Sequence, residues 1–580
     1  MSYYLRIRTT NKGKYLAIYD SGRVKGISHN KSKVYKTLGY EDALKTPEMP
    51  DPITYYREEC KRLNLARNEM KSSFREIIGE ENYVKNYGYY LPKAVFNSLH
   101  VRELLTTIQK ATSKYKCDCT KIMEDLIYAR IFSPKSKSKT YKDVLNEMYL
   151  DYDYSLDDIY NTLYYCGENY DTIIAVITNA LKNIYQPETS NILFDCTNFY
   201  FEIDREDDFR KKGPSKENRR DPLVSMALLL DSNAMPINMK IFPGNESEKP
   251  QLRQIIDEMK LENRIEGRTI QIADKGLNCA KNIYSARLSG DGYLFSKSIK
   301  QLNHMDKVWL SLTNQMEEVT DEAGNVAYKI KSAVDDYTYE FYDDNTKKIS
   351  FKTTERRVLV WNPSLEKKKR EELNKLRENL KYLIASKAKR EMYNAYADYI
   401  DLKAFDKNGE IIESKIGGII NHQKIDQEYE FAGYNMLVTS EVNLNEHQIY
   451  HLYHKLRQIE ESFRIMKTDL DARPVYLQRK QTITGHFLIV YLSVLLLRIL
   501  QFVVFKKKTK LNTILDLIRN SNCIINNEFE VTNLLRRNEH IDAIIKLNIL
   551  PKTAFYKTIK RSEIKTLLAL SYKKATKKDC

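Results

Sequence analysis

Cysteine is sparse and scattered in this chain. The eight cysteines, at positions 60, 117, 119, 166, 196, 279, 523 and 580, include one Cys-x-Cys and no Cys-x-x-Cys. No zinc site is suggested, and a reduced cytosolic protein is expected. Tryptophan is rarer still, with only Trp309 and Trp361. The order of basic, apolar and small residues that marks a signal peptide is missing from MSYYLRIRTTNKGKYLAIYD, so export is not expected. Internal repeats are missing too. Only one long apolar run occurs, HFLIVYLSVLLLRILQFVVF at 486–505, and it carries His486, Arg498 and Gln501. Arg498 would be costly in lipid, so the run is expected to be a buried core helix, with no membrane partner.

Positive charge is plentiful. Lysine and arginine number 94 against 78 acidic residues, 94 − 78 = +16, with a pI near 9.1. A polyanionic partner is the default expectation for such a balance. A length of 580 residues exceeds what one hydrophobic core supports, so several domains or one core with large insertions are expected.

Residues 1–90 read as a small antiparallel sheet followed by a charge-rich helical linker, and 91–188 as a helical domain with apolar residues at three and four spacing. Within the latter, the loop SPKSKSKTYK gathers Lys135, Lys137, Lys139 and Lys142, either to hold phosphates or as a solvated connection. From 189 to 300 the order strand, strand, strand, helix, strand opens a mixed α/β domain. Residues 301–440 alternate strand-like pieces with a charged helix and read as an inserted β-rich subdomain, because structureless connections of that size are rare. Helical sequence resumes over 441–510, opened by Asn445 as cap with Gln448 at the capping-box position. Residues 511–580 read as a basic helical region ending in KKATKKDC.

Asp195 closes the apolar strand ILF, and Asp274 closes TIQIA. Carboxylates at strand ends project from the edge of an α/β sheet where ligands usually bind, although acidic residues there are often turn residues. With a glutamate from a later helix they would form an oxygen-rich cage suited to Mg²⁺, with Mn²⁺ as a possible substitute. The later helix contains the adjacent pair Glu460 and Glu461. At ~100° per residue, Leu452, Leu456, Ile459, Phe463, Met466 and Leu470 form one apolar stripe, with Tyr453, Glu460 and Lys467 in line along its flank. Glu461 is expected to point into solvent, opposite the stripe.

Asp195 in FDCTNFYFE, the run FPGNESEKPQL, Asp274 in IADKGLN and EESFRIMKTDLDARPVY together resemble the motifs of bacterial insertion-sequence transposases of the DDE class. The nearest branch is the insertion sequence four superfamily, whose glutamate motif is Tyr, two residues, Arg, three residues, Glu, six residues, Lys. Tyr453, Glu460 and Lys467 match in register; position 456 is Leu, and Arg457 is offset by one residue. The resemblance implies an RNase H-like core, of the kind found in retroviral integrases, interrupted by a β-rich insertion and preceded by a small β region and a helical DNA-binding domain. It further implies that Asp195, Asp274 and Glu460 form the catalytic, metal-binding triad. Tyr453, Arg457, Arg464 and Lys467 would contact DNA. Trp309 or Trp361 would stack an extruded base, the alternative being a tryptophan that fills the insertion's own core.

The implied activity is binding of terminal inverted repeats, cleavage of the DNA ends and joining to target DNA. The implied partners are the double-stranded DNA of the repeats and target and a second copy of the chain, forming a homodimer in the DNA complex. Location would be cytoplasmic, at the nucleoid. Two rival readings stand beside it: a decayed transposase that only binds DNA, and a metal-dependent nuclease without strand joining.

Overall fold

The structure, a computed structural model, describes residues 2–23, 30–73, 84–216, 221–262, 264–299, 302, 304–312, 315–385, 399–405 and 411–572. The chain divides into two compact units, 1–82 and 83–580. The tail KKATKKDC lies outside the described residues.

In the first unit, β1 (Ser2–Thr10), β2 (Gly13–Arg23) and β3 (Asn30–Tyr40) form an antiparallel meander, as their alternating pattern predicts. The helix Pro52–Ser73 is tied to it by Asn64, whose side chain accepts from the Tyr3 amide at 2.7 Å and donates to its carbonyl at 2.8 Å. Arg67 adds a two-pronged contact to Asp20, at 2.7 and 2.9 Å.

The second unit opens with β4 (Val84–Asn86), and helices fill most of the chain from there to Ala180. Then come β5 (Asn191–Tyr200), β6 (Leu223–Leu230), β7 (Pro236–Pro243), β8 (Ile270–Ala273) and β9 (Gly292–Lys297). Their spatial order is β7-β6-β5-β8-β9, with β5–β6 and β6–β7 antiparallel and β5–β8 and β8–β9 parallel. Successive residues of β5 point to opposite faces. Leu193 and Phe199 enter one core with Ile459, Phe463 and Phe487, while Ile192, Phe194 and Cys196 enter another with Leu252, Ile255 and Ile256 of the helix Glu248–Leu261.

The β-rich stretch does not build a sheet of its own from its longest strands. β10 (Glu317–Thr320), β11 (Val326–Tyr342), β12 (Lys348–Trp361) and, after the hairpin β13 (Ile400–Phe405) and β14 (Ile411–Ile420), β15 (Tyr434–Thr439) continue the central sheet outward from β9 to nine strands. β9 has an open edge that must be paired or covered, and β15 pairs with it antiparallel from Met436↔Lys297 to Thr439↔Leu294. The C-terminal region also departs from its all-helical reading. Its short strands β16 (Asn522–Ile525), β17 (Glu530–Asn533) and β18 (Thr558–Lys560) pair with β4 in a four-stranded sheet. Strands of three or four residues carry too few alternations to register as a period.

The apolar run is the core helix expected of it. Lys480–Val504 is long and apolar enough to cross a membrane, yet 83% of its most apolar window is buried inside the protein. It lies against the helix Leu156–Glu168 so closely that a Cβ on Gly485 would come within 2.0 Å of the Leu163 carbonyl oxygen, and one on Gly167 within 1.8 Å of that of Gln481.

Candidate active site

β5 runs on for five residues beyond Asp195, paired with β6, so Asp195 stands mid-strand and not at a strand end. What ends there is its parallel neighbour. The last β5–β8 pair is Phe194↔Ala273, so the next residues along, Asp195 and Asp274, are neighbours where β8 stops. Adjacent strands lie about 4.8 Å apart, close enough for the two carboxylates to feel each other.

Asp195 Oδ1 accepts from the Cys196 amide at 2.7 Å and lies 3.8 Å from the Lys216 ammonium, which is also 3.4 Å from Glu248. The ammonium donates as well to the Cys196 carbonyl. Burial pushes the Asp195 carboxyl up to about 6; Lys216 opposes this, and the charges of Asp274 and Glu248 add to it. The Tyr453 hydroxyl donates to Asp274 Oδ1 at 3.0 Å. Burial, then the Asp274 charge, hold that phenol well above its ordinary range. Neither Lys216, in a polar loop without periodicity, nor the contact of Glu248 was predicted, although Glu248 stands within the FPGNESEKPQL run. That run turns tightly because Gly244 leaves room for Leu223, whose carbonyl oxygen would lie 2.4 Å from an added Cβ.

The glutamate segment is not one continuous α-helix. Asn445 and Gln448 form the expected capping box of Glu446–His454. The bonds from Leu456 N to Tyr453 O, Gln458 N to Lys455 O and Ile459 N to Leu456 O then tighten the chain into a 3₁₀ turn before Arg457–Arg464, and a π turn, Ile465–Asp469, follows. Each 3₁₀ residue advances about 20° further than an α-helical one, so the predicted line of Tyr453, Glu460 and Lys467 is twisted out of register.

The predicted stripe is largely buried, but the buried arc also takes in Ser462 and Ile465. Glu461 lies ~40° from Ile465 around the helix, and it is half-buried at the edge of that arc where a fully solvent-facing side chain was expected. Its carboxylate pairs at 3.3 Å with Arg498, which is wholly buried. Arg498 also donates to Gln501 Oε1 at 2.8 Å, Ser462 Oγ at 3.2 Å and the Gln458 carbonyl at 3.3 Å. Glu460 is exposed, and its carboxylate has no hydrogen-bond or ion-pair partner among the described residues.

Of the remaining predicted contacts, Arg457 is exposed, Arg464 pairs with Asp469 at 3.1 Å, and the Lys467 ammonium lies 5.5 Å from the Phe199 ring centre. Trp309 packs against the second core with Lys331 4.7 Å from its ring centre, and Trp361 carries Lys329 at 5.7 Å. Beside Asp274 opens a cleft of about 720 Å³ lined by Lys275, Lys297, Lys307, Lys368, Lys369 and Lys424 among others.

Asp195, Asp274, Glu248 and Glu460 offer only carboxylate oxygens, the donor type that suits a hard divalent cation, and the Lys216 ammonium already places positive charge against two of them. The triad is not drawn into a closed ligand cluster. Among the described residues, only Glu317, Glu446 and His447 bring three such ligand atoms within 4.8 Å of one another, and there Glu446 already accepts from Ser332 and faces Arg356 at 3.7 Å.

No curated protein matches the chain. Among solved structures, the piggyBac transposase synaptic complex with hairpin DNA is similar over 85% of this chain and 87% of that one, at 10% identity and a TM-score of 0.36, too loose a likeness to argue from. The family model of the transposase DDE domain matches residues 187–496, which span β5 to β15, both aspartates, the glutamate segment and most of the core helix. That match covers more than half of the 580 residues, and the chain belongs to the DDE transposase family.

Proposed function

We propose that this transposase binds the terminal inverted repeats of a bacterial insertion sequence of the insertion sequence four superfamily, cleaves the DNA ends and joins them to target DNA. The observation that carries the reading is Asp195 beside Asp274, one residue past the last pair of the parallel strands β5 and β8, next to a cleft with six lysines among its lining residues. The strand order β7-β6-β5-β8-β9, three antiparallel strands followed by two parallel ones, supports an RNase H-like core.

Asp195, Asp274 and Glu460 would hold Mg²⁺, or Mn²⁺ in its place. Bound there, the metal would supply the charge that activates water or a 3′ hydroxyl and steadies the leaving oxygen of a phosphoryl transfer. The chain's own groups do the rest. Tyr453 orients the Asp274 carboxylate through its hydrogen bond. Lys216 compensates the paired charges of Asp195 and Glu248. Lys275 and Lys297 in the cleft would track the phosphate backbone without reading sequence, as would Arg457, Arg464 and Lys467 on the glutamate segment. Stacking of an extruded base on Trp309 or Trp361 belongs to the same reading. It is discarded if Trp309→Ala and Trp361→Ala both leave excision intact in folded protein.

The acting species would be a homodimer on double-stranded DNA, in the cytoplasm at the nucleoid. The test supplies a pre-cleaved repeat end, target DNA and Mg²⁺. Joined product supports the transposase; cutting without joining would favour a nuclease, and binding alone a decayed enzyme.

A further inference from the structure

A second pocket, of about 550 Å³, lies away from the aspartates, between the lysine-rich loop after the helix Cys119–Phe132 and the segment that follows the glutamate helix. Arg130, Lys137 and His486 line it, each 5–6% exposed, and Lys135 and Lys139 stand at its rim. Among the described residues the Arg130 guanidinium donates only to backbone carbonyls, those of Leu470 at 3.4 Å and Asp471 at 3.3 Å, and His486 Nε2 meets the Ala472 carbonyl at 3.0 Å. Lys135 leans 3.9 Å from Asp143. The Lys137 ammonium has no hydrogen-bond or ion-pair partner among the described residues. Arg130, Lys135, Lys137 and Lys139 thus line a pocket whose only carboxylate among the described residues is Asp471.

Burial and the neighbouring Arg130 guanidinium hold the Lys137 amine well below its ordinary range, a cost that replacing it with an apolar side chain would relieve. Its retention at a cavity beside a guanidinium makes sense if an anion completes the set. We propose that this pocket seats a phosphate group, with Lys137 and Arg130 as its inner donors and Lys135 and Lys139 as its outer charges. The source is a backbone phosphate of the DNA on which the chain acts. That choice of source rests on the transposase reading, whereas the phosphate chemistry does not. The pocket's wall, Asp471 to Leu477, directly follows the glutamate segment, so a phosphate held here would lie next to the strand engaged by that segment.

The test uses the full chain, with Lys137→Met to remove the inner charge and Lys135→Ala as a rim variant that leaves the core untouched. Inorganic phosphate is titrated at constant ionic strength by calorimetry, and binding to duplex DNA is measured against salt. Lys137→Met should weaken inorganic phosphate binding roughly 10- to 100-fold, the loss of one charge-assisted hydrogen bond. It should also lower the slope of log affinity against log salt by about one. Lys135→Ala should shift both in the same direction, by less. Equal phosphate binding by wild type and both variants overturns the site. Lost phosphate binding with an unchanged DNA salt slope overturns DNA as the source and assigns the pocket to a free phosphate compound. A wild type that binds phosphate through Lys137 but never binds DNA would sink the transposase reading while leaving the pocket standing.

Discussion

Glu461→Gln is the more destructive of the two glutamate changes for stability, and Glu460→Gln for chemistry. Arg498 is fully buried, and Glu461 is its only carboxylate partner among the described contacts. Removing one partner of a buried pair costs about 3–5 kcal/mol when the pair is dry. Here the Glu461 side chain is 36% exposed, so water screens part of the interaction, and a glutamine can still accept from the guanidinium. Gln501, Ser462 and the Gln458 carbonyl also remain on Arg498. The expected loss is therefore about 1–2 kcal/mol, above the ~0.5 kcal/mol typical of a surface change. Glu460→Gln, at an exposed and unpaired carboxylate, should stay within ~0.5 kcal/mol while abolishing cleavage of a repeat-end substrate. Urea midpoints and cleavage assays on both variants decide it. An inactive but fully stable Glu461→Gln beside an active Glu460→Gln would refute both the assignment of the catalytic glutamate and the structural role given to the Arg498 pair.

Asp195→Asn and Asp274→Asn should each keep duplex binding and lose Mg²⁺-dependent cleavage, since each removes one ligand charge and leaves the basic surfaces intact; gel shift and cleavage on the same preparation separate the two. Gly485→Ala should cost at least about 2 kcal/mol in urea unfolding, because a methyl 2.0 Å from the Leu163 carbonyl forces the two helices apart. Glu124 is buried, and burial raises its carboxyl to about 7 despite Arg102 and Lys93 nearby. The folded state then holds a proton that the unfolded state releases near 4.5, so stability should fall as pH rises from about 4.5 to 7, by on the order of 3 kcal/mol. Unfolding at pH 5 and pH 8 should show that drop, and Glu124→Gln should remove the share of Glu124 while leaving those of Asp125 and Asp195, whose carboxyls are each raised to about 6.

Local pattern alone determined the N-terminal meander, the helical stretch before the sheet, the capping box at Asn445 and the burial of the 486–505 run, because each depends on periodicity or on neighbours within a few residues. The motifs around Asp195, Asp274 and the glutamate helix were legible only through their resemblance to DDE transposases, and the family match over 187–496 bears out that class. What the sequence could not decide were pairings between distant segments. That Asp195 stands mid-strand beside the end of β8 depends on the β5–β8 register, which no local pattern encodes. That 301–440 extends the core sheet depends on the open edge of β9 meeting β15. Glu461 turns inward because an arginine 37 positions along the chain, on the core helix, is buried beneath it, and because a 3₁₀ turn at Lys455–Leu456 shifts the phase that a straight helix would have kept. A helical wheel weighs only apolar residues on one element. The partner that settles which face is inside comes from another, and only the fold brings the two together.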